Sequence, residues 1–214
     1  MKHNSKNVFV FDNENSKKKT NVNFEHYSHI RAYHGCRPID VGHYYAEGIK
    51  PFNKKEMRHV ASTVFGITKE AVITSEPDLQ PALSDNIYFV LFKKELLNEC
   101  GHYLCWGSEY LAAIAAQLDK SEYGKYHDIL SNTGIPTIFI CDIPIDLLPQ
   151  WQLEGLLESP FETNLACWIP EILSPEHIVA HEHPSKIYNS VQRRQYKNKQ
   201  TTCKYCTEKP PCFH

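Results

Sequence analysis

No run of about 18 apolar residues occurs anywhere in the 214-residue sequence, and no apolar core follows the lysines Lys17 to Lys19 near the N-terminus. Neither a membrane-spanning helix nor a secretory leader is therefore expected, and the chain reads as soluble and cytoplasmic, with no membrane partner. No internal repeat recurs along it. A disulfide framework is also missing. There are 8 cysteines, but Cys36, Cys100, Cys105, Cys141 and Cys167 are scattered through apparent strands and loops, which fits reduced thiols. A strong overall charge is lacking as well, the formal net being -2. That total hides an asymmetry. Residues 186 to 214 carry seven Lys/Arg against one acid, a net of +6, which leaves -8 on the preceding 185 residues. Such a tail can track phosphates, dock on its own acidic body, or simply be solvated.

What is present belongs to a folded globular protein: 42% of the residues are apolar and 12% of the residues are aromatic, in a length that suits one domain with an appendage. The boundaries read as an N-terminal extension over 1–28, a domain over 29–185 and a basic Cys/His-containing tail over 186–214. Val8 to Phe11 forms a short edge strand and 12–23 a loop. His29 to Tyr33 alternates and ends at His34-Gly35, as a strand would. Pro38 opens a helix that Gly48 stops. Asn53 and Glu56 have capping-box spacing ahead of a second helix, where Met57, Val60, Ala61 and Val64 form one buried stripe and Gly66 is the stop. Between 67 and 84 a loop with one short helix is expected. Asn86 to Phe92 is almost continuously apolar, as in a strand buried on both faces, with Tyr88 packed in the core. Gly101 to Trp106 reads as strand and runs into an Ala-rich helix capped by Ser108. Further strands are expected at 135–143 and 163–169, and another after 170–179.

The chemistry-bearing residues lie at the ends of these elements. At His34-Gly35 the glycine leaves the backbone bare for a ligand, and the histidine can hold a ribose hydroxyl through either ring nitrogen. The same pattern also fits a core histidine. Gly101-His-Tyr103 before a helix N-terminus supplies a second, aromatic unit, with Ser108 and Tyr110 in the turn that follows. Glu162 opens the late strand.

Taken in order, His34-Gly35, Gly101-x-Tyr103 and Glu162 resemble the ADP-ribosyltransferase superfamily, over most of residues 29 to 180. The resemblance implies an α/β (α+β) fold with a split, mostly antiparallel sheet and flanking helices. It also implies NAD+ as substrate, with ADP-ribose transferred to RNA or protein by a bacterial toxin or phage-defence effector that would have an antitoxin partner. In that reading His34 holds the adenosine ribose, Gly35 the nicotinamide amide, and Tyr103 stacks on the nicotinamide ring, while Ser108, Tyr110 and Arg37 complete the pocket. Glu162 is the carboxylate that steadies an oxocarbenium-like state. Many members carry an acid within the late strand. Residues 164–169 hold none, so Glu154, Glu158 and Glu171 are rivals. A non-catalytic nucleotide- or RNA-binding module of the same fold with a zinc-binding tail is the alternative.

The tail holds Cys203-x-x-Cys206, Cys212 and His214, four soft ligands within twelve residues that could wrap around a structural zinc ion. Arg193, Arg194, Lys197, Lys199 and Lys204, with Tyr196 and Tyr205 for stacking, make the same segment a candidate nucleic-acid contact.

Overall fold

The computed structural model describes residues 6–11, 23–76, 85–158 and 165–208. Eight strands are present among them: β1 (Val8–Val10), β2 (His29–Cys36), β3 (Ile87–Val90), β4 (Thr137–Pro144), β5 (Ala166–Ile169), β6 (Ile178–Glu182), β7 (Lys186–Asn189) and β8 (Arg194–Lys197). The helices are α1 (Val41–Glu47), α2 (Lys54–Phe65), α3 (Lys69–Ser75), α4 (Lys93–Asn98), α5 (His102–Trp106), α6 (Glu109–Glu122), α7 (Lys125–Asn132), α8 (Gln150–Glu158) and α9 (Lys204–Glu208).

The main sheet runs β5-β3-β2-β4-β6, with β1 parallel to β2 and every other pairing antiparallel. β2 is its axis. β4 pairs with β2 along its whole length, from His29↔Pro144 to Cys36↔Thr137. On the other edge β1 takes His29 to Arg31, and β3 meets β2 at the single pair Tyr33↔Val90. Beyond that pair the two strands part, so the sheet opens at His34 and Gly35. A mixed α/β fold with a largely antiparallel core and flanking helices is therefore what the chain forms.

Strand β4 is buried at nearly every position, which fits a central strand covered on both faces. One apolar cluster joins Ile30, Ala32, Phe139 and Cys141 to Phe9 and Leu153; the other joins Ile138 to Leu96, Leu104 and the inner face of α6. Arg31 sits directly opposite Asp142 and donates two hydrogen bonds to its carboxylate, at 2.8 and 3.1 Å.

Helix ends follow the capping residues. Asp40 caps α1, Asn53 accepts from the amides of Lys55 and Glu56, and Ser108 accepts from Leu111. Gly48 ends α1 at φ 81°, and a Cβ there would lie 2.2 Å from the Leu173 carbonyl oxygen. Only glycine allows that approach, which lets Ile49 exchange backbone hydrogen bonds with Leu173 at 3.0 and 2.9 Å.

Three expectations change. Gly101 to Trp106 is no strand: His102 to Trp106 form the short helix α5 between Gly101 and Gly107. β3 is not buried on both faces, because Phe89 points inward while Tyr88 is 47% exposed and packs on Trp168. The stripe on α2 is only partly buried, with Ala61 and Phe65 in the core and Val60 exposed. Residues 186–198 form a β7–β8 hairpin whose Ile187 and Asn189 are buried, and β7 packs against α4 and α5. The Pro77/Pro81 segment, and the expected 12–23 loop apart from Asn23, lie outside the described residues.

Candidate functional site

A cleft of about 690 Å³ occupies the split between β2 and β3. Its walls come from the end of β2, from Tyr88 and Phe89 on β3, from Tyr103 on α5, from the start of α6, and from Met57, Val60 and Val64 on α2. The α2 stripe is thus a cleft wall, which explains why apolar residues at helical spacing remain partly exposed. His34, Gly35, Arg37, Tyr103, Ser108 and Tyr110 all border this one space.

His34 bridges the parted strands. Its Nδ1 lies 2.9 Å from the Tyr88 carbonyl oxygen. A carbonyl only accepts, so the proton sits on Nδ1 and the neutral ring keeps Nε2 as an acceptor. Burial lowers the His34 pKa more than the Tyr88 bond raises it, which favours that neutral form at pH 7. Gly35 is held from the other side: a Cβ would meet Leu96 Cδ2 at 2.7 Å.

Tyr103 projects from α5 rather than from a strand. Its hydroxyl donates to Glu109 Oε1 at 2.6 Å, and its ring leans on His102 with centroids 4.2 Å apart. Burial first, then the bond to Glu109, keeps the phenol protonated. Glu109 itself is held below the usual carboxylate range by His102 and then Tyr103, against its partial burial. Sequence reasoning missed this residue. Among the described residues it and Asp40, which caps α1, are the carboxylates that border the cleft. The signal was its place directly after Ser108, in the first turn of the helix that follows the Gly-x-Tyr unit.

The remaining cleft residues are committed elsewhere. Arg37 does not hold its fork open for a pyrophosphate: Nε donates to the Thr133 carbonyl at 2.8 Å, Nη1 to Leu104 at 3.2 Å and Nη2 to Ser131. Tyr110 is 1% exposed and donates its hydroxyl to Glu76 at 2.5 Å. Ser108 caps α6 through its hydroxyl. Glu154 and Glu158 lie on α8 and Glu171 follows β5, and none of the three borders the cleft. Glu162 lies outside the described residues.

Comparisons with protein-family models, curated proteins and solved structures found no match.

At the β6 edge of the sheet, four ligand atoms of His181, His183, Cys203 and Cys206 lie within 4.8 Å of one another. Two members of the expected tail set, Cys203 and Cys206, are thus joined by two histidines from β6 and the residue after it, while Cys212 and His214 lie outside the described residues. The overlooked signal was His181-x-His183, a pair that an extended chain turns to one side. The aromatic residues assigned to base stacking are engaged within the fold. Tyr196 donates to the Ser131 carbonyl at 2.9 Å, and Tyr205 stacks on Tyr45 with centroids 4.3 Å apart. Lys186, Arg193, Arg194, Lys197, Lys199 and Lys204 are exposed.

Proposed function

We propose that the protein is a nucleotide-binding module of the ADP-ribosyltransferase-like type, with an NAD+- or ADP-ribose-like ligand in the cleft between β2 and β3. The observation that carries this reading is His34, a neutral imidazole fixed by Tyr88 so that Nε2 can accept a ribose hydroxyl, beside an apolar cleft that Tyr103 also lines. A flat base or nicotinamide ring is the natural occupant of such walls. Calorimetric titration with ADP-ribose and NAD+ tests it. Heat of binding that disappears in Tyr103→Ala, with the far-UV spectrum unchanged, is expected; no binding by the wild type would overturn it.

Transfer of ADP-ribose from NAD+ to RNA or protein is the second reading, and Glu109 favours it. An ionised carboxylate bonded to the Tyr103 hydroxyl on the cleft wall is the type of group that can hold a ribose 2'-hydroxyl while nicotinamide departs. Nicotinamide release from NAD+ that falls at least a hundredfold in Glu109→Gln is the expected result for an enzyme. Release unchanged in that variant would return the acid to Glu162. For the acceptor, the β7–β8 hairpin supports a polyanion such as RNA, because exposed Lys186 stands directly opposite exposed Lys197, a like-charge pair that an anion would relieve. Affinity for a single-stranded RNA that weakens steeply with salt, and weakens less steeply in Lys186→Gln, checks this. Toxin or phage-defence activity, with an antitoxin as partner, rests on the resemblance alone.

A further inference from the structure

The tail was expected to gather its ligands from itself, yet the structure brings Cys203 and Cys206 onto the edge strand of the main sheet. Cys203 Sγ lies 3.5 Å from Cys206 Sγ, and His181 Nε2 lies 3.0 Å from Cys206 Sγ and 3.6 Å from Cys203 Sγ. A sulfur separation of 3.5 Å is far beyond a disulfide bond of about 2.05 Å. A tetrahedral zinc ion with Zn–S near 2.3 Å and Zn–N near 2.0 Å has ligand-to-ligand edges of roughly 3.3–3.8 Å. The 3.5 and 3.6 Å separations fall within that range, and the 3.0 Å one needs only a small outward shift of the imidazole or the sulfur.

The hydrogen bonds around the cluster point the same way. His183 Nδ1 lies 3.0 Å from the Pro136 carbonyl oxygen and 3.2 Å from Thr137 Oγ1. That carbonyl fixes the proton on Nδ1, and Nε2 is left buried without a hydrogen-bond partner. A buried imidazole whose Nδ1 is held by a carbonyl keeps the Nε2 lone pair available for a metal ion, and the residue's ligand atom lies within 4.8 Å of two thiols and a second imidazole. His181 has the complementary arrangement: Nδ1 faces the Tyr45 hydroxyl at 2.9 Å, so Nε2 is the nitrogen turned to the sulfurs. The Cys206 amide donates to Cys203 Sγ at 3.4 Å, which stabilises charge on that sulfur.

We propose that His181, His183, Cys203 and Cys206 form a tetrahedral zinc site that staples the C-terminal helix α9 to strand β6 and to helix α1. On binding, the two thiols lose their protons, the two thiolates and two neutral imidazoles each donate a lone pair, and the resulting centre carries no net charge. The staple reaches α1 because Tyr45, which holds His181, also stacks on Tyr205 with the rings 3° from parallel. α1 in turn presents His43 and Tyr44 to the cleft. The basic hairpin lies between β6 and α9 in the chain, so closing the site also ties both its ends to the domain.

Full-length protein equilibrated with zinc and passed through gel filtration should retain one zinc per chain by elemental analysis. Cys206→Ser and His183→Gln should each lose it, whereas Cys212→Ser and His214→Ala should keep it. No metal on the wild type, or retention in His183→Gln together with loss in Cys212→Ser, would overturn the assignment. Cobalt substitution of the wild type settles the matter without relying on a variant's folding. Intense tetrahedral d–d bands with charge transfer from two thiolates are expected, and the weak bands of an octahedral oxygen site would contradict the proposal. Chelation should also raise amide hydrogen exchange in 41–47 and 203–208 together. A rise confined to 203–208 would refute the staple to α1.

Discussion

Replacing Arg37 by methionine separates two roles that the sequence leaves together. Methionine keeps most of the aliphatic stem and removes the guanidinium. In the structure that group donates to three backbone carbonyls, two of them at the C-terminal end of α7, where helix carbonyls lack intrahelical donors. A hydrogen bond involving a charged group contributes about 1.5–3 kcal/mol, and three that share one donor group are not additive. The burial that pulls the Arg37 pKa down offsets part of the gain. A net loss of about 3 kcal/mol follows, a large share of the ~5–15 kcal/mol typical of a domain. With a urea dependence near 3 kcal/mol/M, the unfolding midpoint should fall by about 1 M. Arg37→Lys should recover little, since one ammonium cannot reach three carbonyls in the guanidinium plane. Urea titration followed by tryptophan fluorescence measures this. A midpoint equal to wild type, combined with lost nucleotide binding, would show that the guanidinium works on a ligand and refute the structural role.

Glu76 accepts from Arg58 at 2.7 and 2.8 Å and from Tyr110, and pairs with Lys54 at 3.2 Å; Arg58 foremost pulls its pKa down to about 2. A folded-state value below the unfolded one means that this stabilisation is complete above about pH 4.5 and disappears as pH falls toward 2. Glu76→Gln should therefore lower Tm by a few degrees at pH 7 and by much less at pH 3, as calorimetry would show. Gly101→Ala should destabilise by about 2–3 kcal/mol, because its Cβ would lie 2.1 Å from the Tyr188 carbonyl oxygen, a backbone atom of β7 that cannot turn aside. An unchanged melting temperature would contradict that packing, and with it the seating of the hairpin on α5.

The ends of the helices also show what a sequence reveals and what it withholds. Elements announced by caps were legible: α1 up to Gly48, α2 from Asn53 to Gly66, and α6 after Ser108 all begin or end where a local hydrogen bond dictates. The β4 pattern was legible because a long apolar run flanked by polar residues has few other uses. His102 to Trp106 was misread, since five apolar and aromatic residues fit one helical turn or one strand equally well, and packing against β7 and α7 decides between them. The resemblance grouped His34, Gly35 and Tyr103, and in the structure all three border one cleft. The role of Arg37 was not legible, because the carbonyls it serves lie 67 to 96 residues away. The partners of Cys203 and Cys206 were hidden for the same reason, His181 being 22 and 25 residues distant on a separate element.

The most direct test of the cleft is a cycle that removes the ribose hydroxyl and the imidazole separately and together. Affinities of wild type and His34→Ala are measured by calorimetry for ADP-ribose and for its analogue lacking the adenosine-ribose 2'-hydroxyl. If His34 Nε2 accepts from that hydroxyl, the wild type loses about fivefold to tenfold on its removal, ~1–1.4 kcal/mol, while His34→Ala binds both ligands equally. The same loss in both proteins would place the hydroxyl against some other group and contradict the assignment of the cleft.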